Sequence, residues 1–196
     1  MFVKYSKNAK QDEIKAYHIL FWHLFQDKEV VVGDDHSKRL PDLYTEDLEI
    51  GVEVVSCEQF TTYLVDDYIR DAKHITPESL QAVKSAQRKF NSLSLKNKHL
   101  LFNAIFEENI AKKLRKIDNY AGVESRYLFV ISDAEQKNYI RRSKLIEIYN
   151  KCCKEAGRKF DGLYLFYNKK LYQLFDNEFK EIKTKYYVSE PLTNNK

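Results

Sequence analysis

The chain has 196 residues and a formal net charge of only +4, with 43% hydrophobic residues, 14% aromatic residues, five glycines and three prolines. This composition is typical of a single compact domain with a substantial core, and it excludes long low-complexity segments. The three cysteines form neither a disulfide framework nor a CxxC metal-binding pair, and no apolar run is long enough to span a bilayer. We therefore expect a cytoplasmic protein without a transmembrane segment.

The first elements predicted along the chain are a helix and a short strand. Apolar residues from Ile14 to Phe25 recur at helical spacing, which predicts an amphipathic helix over residues 9–26. The β-branched run KEVVV then predicts a strand that ends at Gly33. The next loop, GDDHSK, contains adjacent aspartates that are common in turns, so we assign it no function.

The segment RLPDLYTEDLEIGVEVVS predicts a β-hairpin. Its second half alternates with the period of two that is typical of a strand, and RLPDLY forms the partner strand across the turn TED. With Tyr44 paired to Glu49, Asp42 lies opposite Gly51, and Glu53 becomes the diagonal neighbour of Asp42 on the same face. The sequence therefore predicts two carboxylates whose Cβ atoms are roughly 7 Å apart or less.

Glu53 is the unusual residue of this hairpin because valines flank it on both sides. A buried, charged and unpaired carboxylate costs several kcal/mol, so Glu53 needs a cation, a hydrogen-bond network or a position at the rim. The absent side chain of Gly51 leaves room beside both carboxylates, which favours a cation site. A strand face that simply meets solvent is the alternative explanation.

Helices dominate the middle of the predicted fold. DDYIRDAKHI is expected to be helical, and Thr76 followed by Pro77 predicts the start of a helix over residues 77–92. A further helix from about 100 to 121 carries one apolar stripe. RYLFVIS at 126–132 is then a strand with few polar residues, which indicates burial on both faces.

The C-terminal part predicts one more helix and a hairpin. KNYIRRSKLIEIYNKCCKEAG is helical with Gly157 as its C-terminal stop, and DGLYLFY and KLYQLF form a hairpin around Asn168 and Lys169. This order of elements predicts an α/β fold with a mixed central sheet flanked by helices. We expect one domain over residues 1–188 and a disordered tail over 189–196.

Charge is distributed unevenly along this fold. Residues 27–78 contain fourteen acidic and five basic side chains, whereas residues 84–116 contain nine basic and two acidic side chains. Such a division suits a protein that holds a cation in one region and a polyanion against another. For any single block, a solvated helix face is the simpler explanation.

A family resemblance rests on the hairpin. Pro41-Asp42, a turn and then VEVV with Glu53 resemble the PD-(D/E)xK nuclease superfamily, over residues 9–132. The resemblance implies a restriction-endonuclease-like core of helix, three-strand meander, helix and strand, with a helical insertion and an extra C-terminal hairpin. It also implies that Asp42, Glu53 and the main-chain carbonyl of Val54 bind Mg²⁺ or Mn²⁺, which activates water against a phosphodiester bond.

Glu13 on the first helix is a further metal ligand that the resemblance implies. An acidic residue in a first helical turn also stabilises the helix dipole, and this alternative stays open. No glycine-rich phosphate loop, HExxH or GxSxG motif competes with this interpretation.

The lysine of the family pattern, two residues after the glutamate, is Val55 in this chain. Some members of the superfamily supply this lysine from the helix that precedes the last core strand, which here is the helix over 100–121. On that helix Lys113 lies about 60° to one side of the apolar stripe, whereas Lys112 and Lys116 point toward solvent. We therefore predict Lys113 as the relocated catalytic lysine. A basic helix face that touches phosphate or nothing is the alternative.

The resemblance predicts a Mg²⁺-dependent nuclease that acts on DNA. Asp42, Glu53 and Lys113 are its expected catalytic residues, and basic side chains on two helices are expected to bind nucleic acid: Lys84, Arg88, Lys89, Lys112 and Lys116. Because Val55 replaces the lysine, the alternative is an inactive nuclease-like protein that binds nucleic acid or a protein partner. A homodimer is compatible with both interpretations.

Overall fold

The protein is built around one mixed sheet of eight strands, described by a computed structural model. The structure describes residues 3–33, 40–57, 94–120, 122–132 and 141–183. Within these ranges the strands are β1 (Val3–Tyr5), β2 (Val30–Val32), β3 (Leu43–Thr45), β4 (Ile50–Ser56), β5 (Ser125–Ser132), β6 (Gly162–Tyr167), β7 (Lys170–Phe175) and β8 (Glu178–Ile182). The α-helices are α1 (Gln11–Leu20), α2 (Leu95–Lys116) and α3 (Arg142–Ala156).

The strands lie in the sheet in the order in which they occur along the chain. β1 and β2 are parallel, β2, β3 and β4 form an antiparallel meander, and β4, β5 and β6 are parallel. β6, β7 and β8 complete the sheet as a second antiparallel meander. The predicted α/β fold with a mixed central sheet is therefore confirmed.

Two hydrophobic cores cover the two faces of the sheet. On one face, side chains of α2 and α3 pack with Val55 and Leu128 from the central strands. On the other face, side chains of α1 pack with Val54 and Phe129. These two residues are the sequence neighbours of Val55 and Leu128, which belong to the first core. Because alternate strand residues point to opposite faces, helices on both sides bury β4 except at its two ends and bury the last five residues of β5.

The helix ends follow local capping chemistry. α2 begins at Leu95, earlier than predicted, because the Ser94 hydroxyl accepts a hydrogen bond from the amide of Asn97 at 3.3 Å. α3 ends at Gly157, as predicted, and this glycine adopts a left-handed φ of 66°. None of the helices in the described ranges combines the length and hydrophobicity needed to cross a bilayer.

The first helix differs from its prediction. Regular α-helix ends at Leu20, and the chain continues as a π-helical turn over Phe21–Phe25. This wider turn buries Phe25, whose ring centroid lies 6.0 Å from that of Tyr17. Aromatic packing thus overrides the uniform helical period that the sequence indicated for residues 9–26.

The hairpin between β6 and β7 is confirmed, and two strands were not predicted. β1 has only three residues, too few to show a pattern. β8 has the sequence EFKEI, in which apolar and polar residues do not alternate regularly. β8 forms because Asp176 and Asn177 both take a positive φ and close a second tight turn after β7. Several predicted features lie outside the described residues: the helix over 77–92, the DDYIRDAKHI segment, most of the GDDHSK loop and the tail over 189–196.

Candidate metal centre

The hairpin of β3 and β4 has a different register from the one predicted. Tyr44 pairs with Gly51, and Leu43 pairs with Val52, whereas the predicted partner of Tyr44 was Glu49. The connection is longer than the predicted turn because Leu48 adopts a φ of 61° and its amide donates to the carbonyl of Thr45 at 2.8 Å. A shift of two residues keeps every side chain on its face. Continuing the register brings Asp42 opposite Glu53 instead of diagonal to it.

Asp42 is fixed at the start of β3 by main-chain hydrogen bonds in two directions. Its Oδ2 accepts from the amide of Val54 at 2.7 Å, and its carbonyl accepts from the amide of Gly33 at 2.8 Å. Only 6% of the residue is exposed. The carboxylate therefore has one orientation, set by the backbones of the strands on either side.

Glu53 occupies the centre of β4 and is only 3% exposed. Its neighbours Val52 and Val54 pack into the core under α1, and Val55 packs into the core under α2 and α3. Because strand side chains alternate, Glu53 shares the face of Val55. The carboxylate therefore points beneath α2. The alternative that this face of the strand meets solvent is wrong.

Lys113 of α2 closes this arrangement. Its Nζ donates to Asp42 Oδ2 at 2.9 Å and also to Glu53 Oε2, so one ammonium group bridges both carboxylates. The lysine side chain is 22% exposed. The structure thus brings together the three residues predicted as catalytic, across 71 and 60 positions of sequence. Removing one partner of a buried ion pair typically costs about 3–5 kcal/mol because the remaining charge is left unpaired, so the three side chains depend on one another in the folded protein.

Tyr120 is a site residue that the sequence reasoning missed. It follows the 3₁₀ turn Ile117–Asn119 at the end of α2, is buried, and its hydroxyl hydrogen-bonds to the Glu53 carboxylate. A sequence signal existed, because Tyr120 lies seven residues after Lys113 and two helical turns place such residues on one face. Glu53 is therefore held from two sides by groups of the same helix and its continuation.

The ionisation of the cluster is set by burial and by its own charges. Burial raises the pKa of Glu53 to about 7, assisted by the negative charge of Asp42 and opposed by Lys113 and Tyr120. Burial lowers the pKa of Lys113, but the charges of Glu53 and Asp42 outweigh it and raise that pKa overall. Lys113 is therefore a permanent cation at neutral pH.

Gly51 does not leave the space that its sequence position suggested. A Cβ atom on Gly51 would lie 2.6 Å from Cγ of Pro41 and 2.8 Å from Cγ1 of Val123. The glycine is required because these two side chains pack against the strand backbone. This interpretation of Gly51 is therefore corrected, and the room between the carboxylates is filled by the Lys113 ammonium.

The donor set fits a hard divalent cation. Two buried carboxylates converge on one point, and the Lys113 ammonium stands there as a positive charge. The amide of Val54 points to this side of β4, and the carbonyl of a strand residue points the same way as its amide. Mg²⁺ is commonly held by one or two carboxylates with water and substrate phosphate completing its shell. Within the described ranges no group of three or more His, Cys, Asp or Glu side chains is placed to hold a metal ion.

Glu13 belongs to a different environment. It is buried in the first turn of α1, where Oε2 accepts from the amide of Lys10 at 2.8 Å and Oε1 accepts from Lys10 Nζ at 3.0 Å. The Glu13 carboxylate thus satisfies the Lys10 amide at the N-terminus of the helix, which is the glutamate half of a capping box. The structure does not group Glu13 with Asp42 and Glu53, and its environment matches the helix-terminal role that stayed open from sequence.

The predicted nucleic-acid-binding residues are only partly described. Lys112 and Lys116 are exposed on α2, and Lys112 forms an i,i+4 ion pair with Glu108 at 2.6 Å. Lys84, Arg88 and Lys89 lie outside the described residues. The helix that carries Lys113 therefore also presents basic side chains to solvent.

Comparison with known proteins adds no relative to this description. No protein-family model, no curated protein and no solved structure matches the chain at a significant level.

Proposed function

We propose that the chain is a divalent-metal-dependent nuclease of the PD-(D/E)xK type that cleaves DNA phosphodiester bonds. The observation that carries this proposal is the convergence of Asp42, Glu53 and Lys113 at one buried point on the sheet. Two carboxylates and a lysine are the side chains that such chemistry needs: anions to bind the metal and a cation to face the phosphate.

The order of elements supports the same proposal. α1, the meander β2–β3–β4, α2 and β5 follow one another along the chain as the helix, three-strand meander, helix and strand of that superfamily. Asp42 and Glu53 occupy the adjacent strands of this meander, and Lys113 comes from the helix that precedes β5. β6, β7 and β8 with α3 are additions to this core, larger than the extra hairpin expected from sequence.

Each residue has a distinct part in the proposed reaction. Mg²⁺ or Mn²⁺, when bound, stabilises charge on the phosphate and activates water for attack. Asp42 presents its carboxylate in the orientation that the Val54 amide fixes, and Tyr120 orients Glu53. Lys113, a cation at neutral pH, donates hydrogen bonds to the negative charge that develops on the phosphate oxygens.

The test is cleavage of single- and double-stranded DNA with Mg²⁺ or Mn²⁺ by the full chain and its Asp42→Asn and Glu53→Gln variants. We expect each variant to lose activity by at least about 100-fold, because even the outer partners of metal ligands contribute 10- to 100-fold. Asn and Gln keep the size of each side chain and an acceptor oxygen, so the fold should persist.

The matched control is Glu49→Gln, which removes an exposed carboxylate from the same hairpin, where Glu49 pairs with Lys28. This variant should retain full activity. Wild-type protein that cleaves no DNA with either metal, or cleavage that survives both site substitutions, would contradict the proposal.

A second candidate function is nucleic-acid binding without cleavage. It is favoured by the Lys113 ammonium, which already balances part of the charge of both carboxylates. For this function we expect DNA binding that weakens steeply with salt and is unchanged by Asp42→Asn. DNA binding with a salt slope near zero would argue against phosphate contacts in either function.

A further inference from the structure

We propose that Lys113 is a built-in counter-ion that a divalent metal displaces, so that the site exists in a lysine-bridged state and a metal-loaded state. The proposal rests on the proposed function, since it concerns the same carboxylates, and it adds a regulatory step to that function. Its physical basis is the position of one ammonium group on both candidate metal ligands.

Hydrogen-bond capacity is the first reason for displacement. Asp42 Oδ2 already accepts from the Val54 amide at 2.7 Å and from Lys113 Nζ at 2.9 Å. A carboxylate oxygen has two lone pairs, so this oxygen is saturated in the bridged state. Glu53 Oε2 accepts from Lys113, and the Glu53 carboxylate also accepts from Tyr120. A metal that binds Asp42 Oδ2 and Glu53 Oε2, the two oxygens that Lys113 bridges, must take the place of the ammonium group.

Charge is the second reason. Among the described groups in contact at the site, Asp42 and Glu53 carry two negative charges when both are ionised, as metal binding requires, and Lys113 carries one positive charge. A divalent cation alone balances both carboxylates. A metal and the ammonium together would leave a net positive charge in a buried site, with two cations only a few ångströms apart.

The lysine has a route out of the site. Its side chain is 22% exposed, whereas the two carboxylates are almost fully buried. A lysine stem is long and flexible, so its ammonium can move toward solvent while its carbon chain stays on the protein. The released ammonium would then lie on the solvent side of the two carboxylates. In the bridged state Lys113 would therefore be bound to the carboxylates, and it could contact substrate only after metal binding.

The first experiment follows amine labelling of the wild-type chain by a small acylating reagent, with mass spectrometry of each lysine. Without divalent metal Lys113 should label slowly, because its Nζ is shared by two carboxylates. Saturating Mn²⁺ should increase its labelling rate at least about tenfold, since the ammonium loses both partners. Lys96, exposed on the same helix about 25 Å away, is the internal reference and should not change.

The second experiment measures Mn²⁺ binding by calorimetry for wild type, Lys113→Met and Lys96→Met. Lys113→Met should bind Mn²⁺ at least about tenfold more tightly, because no ammonium has to be displaced. Lys96→Met removes the same charge from the same helix and should bind like wild type. Should Lys113→Met fail to fold without metal, the labelling experiment on the wild type still decides the proposal.

The outcomes separate this proposal from the proposed function. Mn²⁺ binding that leaves Lys113 labelling unchanged, or protects it, overturns the displacement and leaves the nuclease proposal standing. Mn²⁺ binding that exposes Lys113 without any DNA cleavage supports the displacement and contradicts the nuclease. Absence of Mn²⁺ binding in both wild type and Lys113→Met overturns both.

Discussion

Asp42, Gly51 and Glu53 lie on one face of the β3–β4 hairpin. Alternation along β4 was sufficient to place Asp42 and Glu53 on one face, since even a register error of two residues keeps the face. The reason for glycine at position 51 could not be predicted from the sequence. Glycine is needed there because Pro41 and Val123 pack against its backbone, and Val123 is distant in sequence. Tyr120 lay within the helix predicted over 100–121 and was missed because a tyrosine on such a helix is by default a packing residue.

Gly51→Ala tests the close packing at this point. The backbone of Gly51 needs no left-handed conformation, so the cost of alanine is steric: its Cβ would meet Pro41 and Val123 below 3 Å. We expect a loss of about 1–3 kcal/mol in the free energy of unfolding, measured by urea denaturation.

Val123→Ala supplies the control for that prediction. Alone it removes buried methyl groups and should destabilise the protein. Combined with Gly51→Ala it should cost less than the sum of the two single changes, because the clash with Val123 is relieved while the clash with Pro41 remains. Strictly additive costs would show that Gly51 is not needed for this contact.

At the scale of elements, the C-terminal meander contains two tight turns, and only the first of them was predicted from the sequence. Asn168 and Lys169 stood between two clear apolar strands, so their hairpin was predicted. Asp176 and Asn177 have the same left-handed backbone, but β8 after them lacks alternation, so the strand was missed. Edge strands bury little side-chain surface, and their sequences therefore carry a weak pattern.

Lys169→Gly tests the energetics of the first turn. Lys169 adopts a φ of 61°, a conformation that costs an L-residue with a Cβ about 1–2 kcal/mol. Glycine removes this cost and adds back some entropy of the unfolded chain, so we expect a net gain of up to about 1 kcal/mol in unfolding free energy. Thermal and urea denaturation would measure it.

Lys170→Gly is the matched control because this adjacent lysine lies in β7 with extended backbone. Glycine in a strand is destabilising by roughly 0.5–1 kcal/mol. The two substitutions should therefore have opposite signs. Equal destabilisation by both would mean that the left-handed turn carries no cost.

For the whole molecule, the fold class was accessible from sequence, whereas the size of the sheet was not. Period-two runs and helical stripes gave the order of the main elements, and parallel pairing of β4, β5 and β6 follows from the helices between them. The strands that extend the sheet at both edges, β1 and β8, depend on pairing partners more than on their own residues.

Native-state hydrogen exchange should map this architecture. β5 lies between two parallel neighbours and beneath helices on both faces, so its amides should exchange only through global unfolding. The amides of β1 and β8 that pair inward should exchange at least about tenfold faster, because edge strands open locally. Protection of β8 equal to that of β5 would contradict the assignment of β8 as an edge.

The bridge between Lys113 and the two carboxylates also has an evolutionary consequence. The three side chains that the proposed reaction would use also join α2 to the sheet, so a substitution at one of them would leave a buried charge without its partner. A related chain without the proposed activity would therefore be expected to keep or lose Asp42, Glu53 and Lys113 together. The exposed Lys112 and Lys116 lie outside this cluster and could change independently of it.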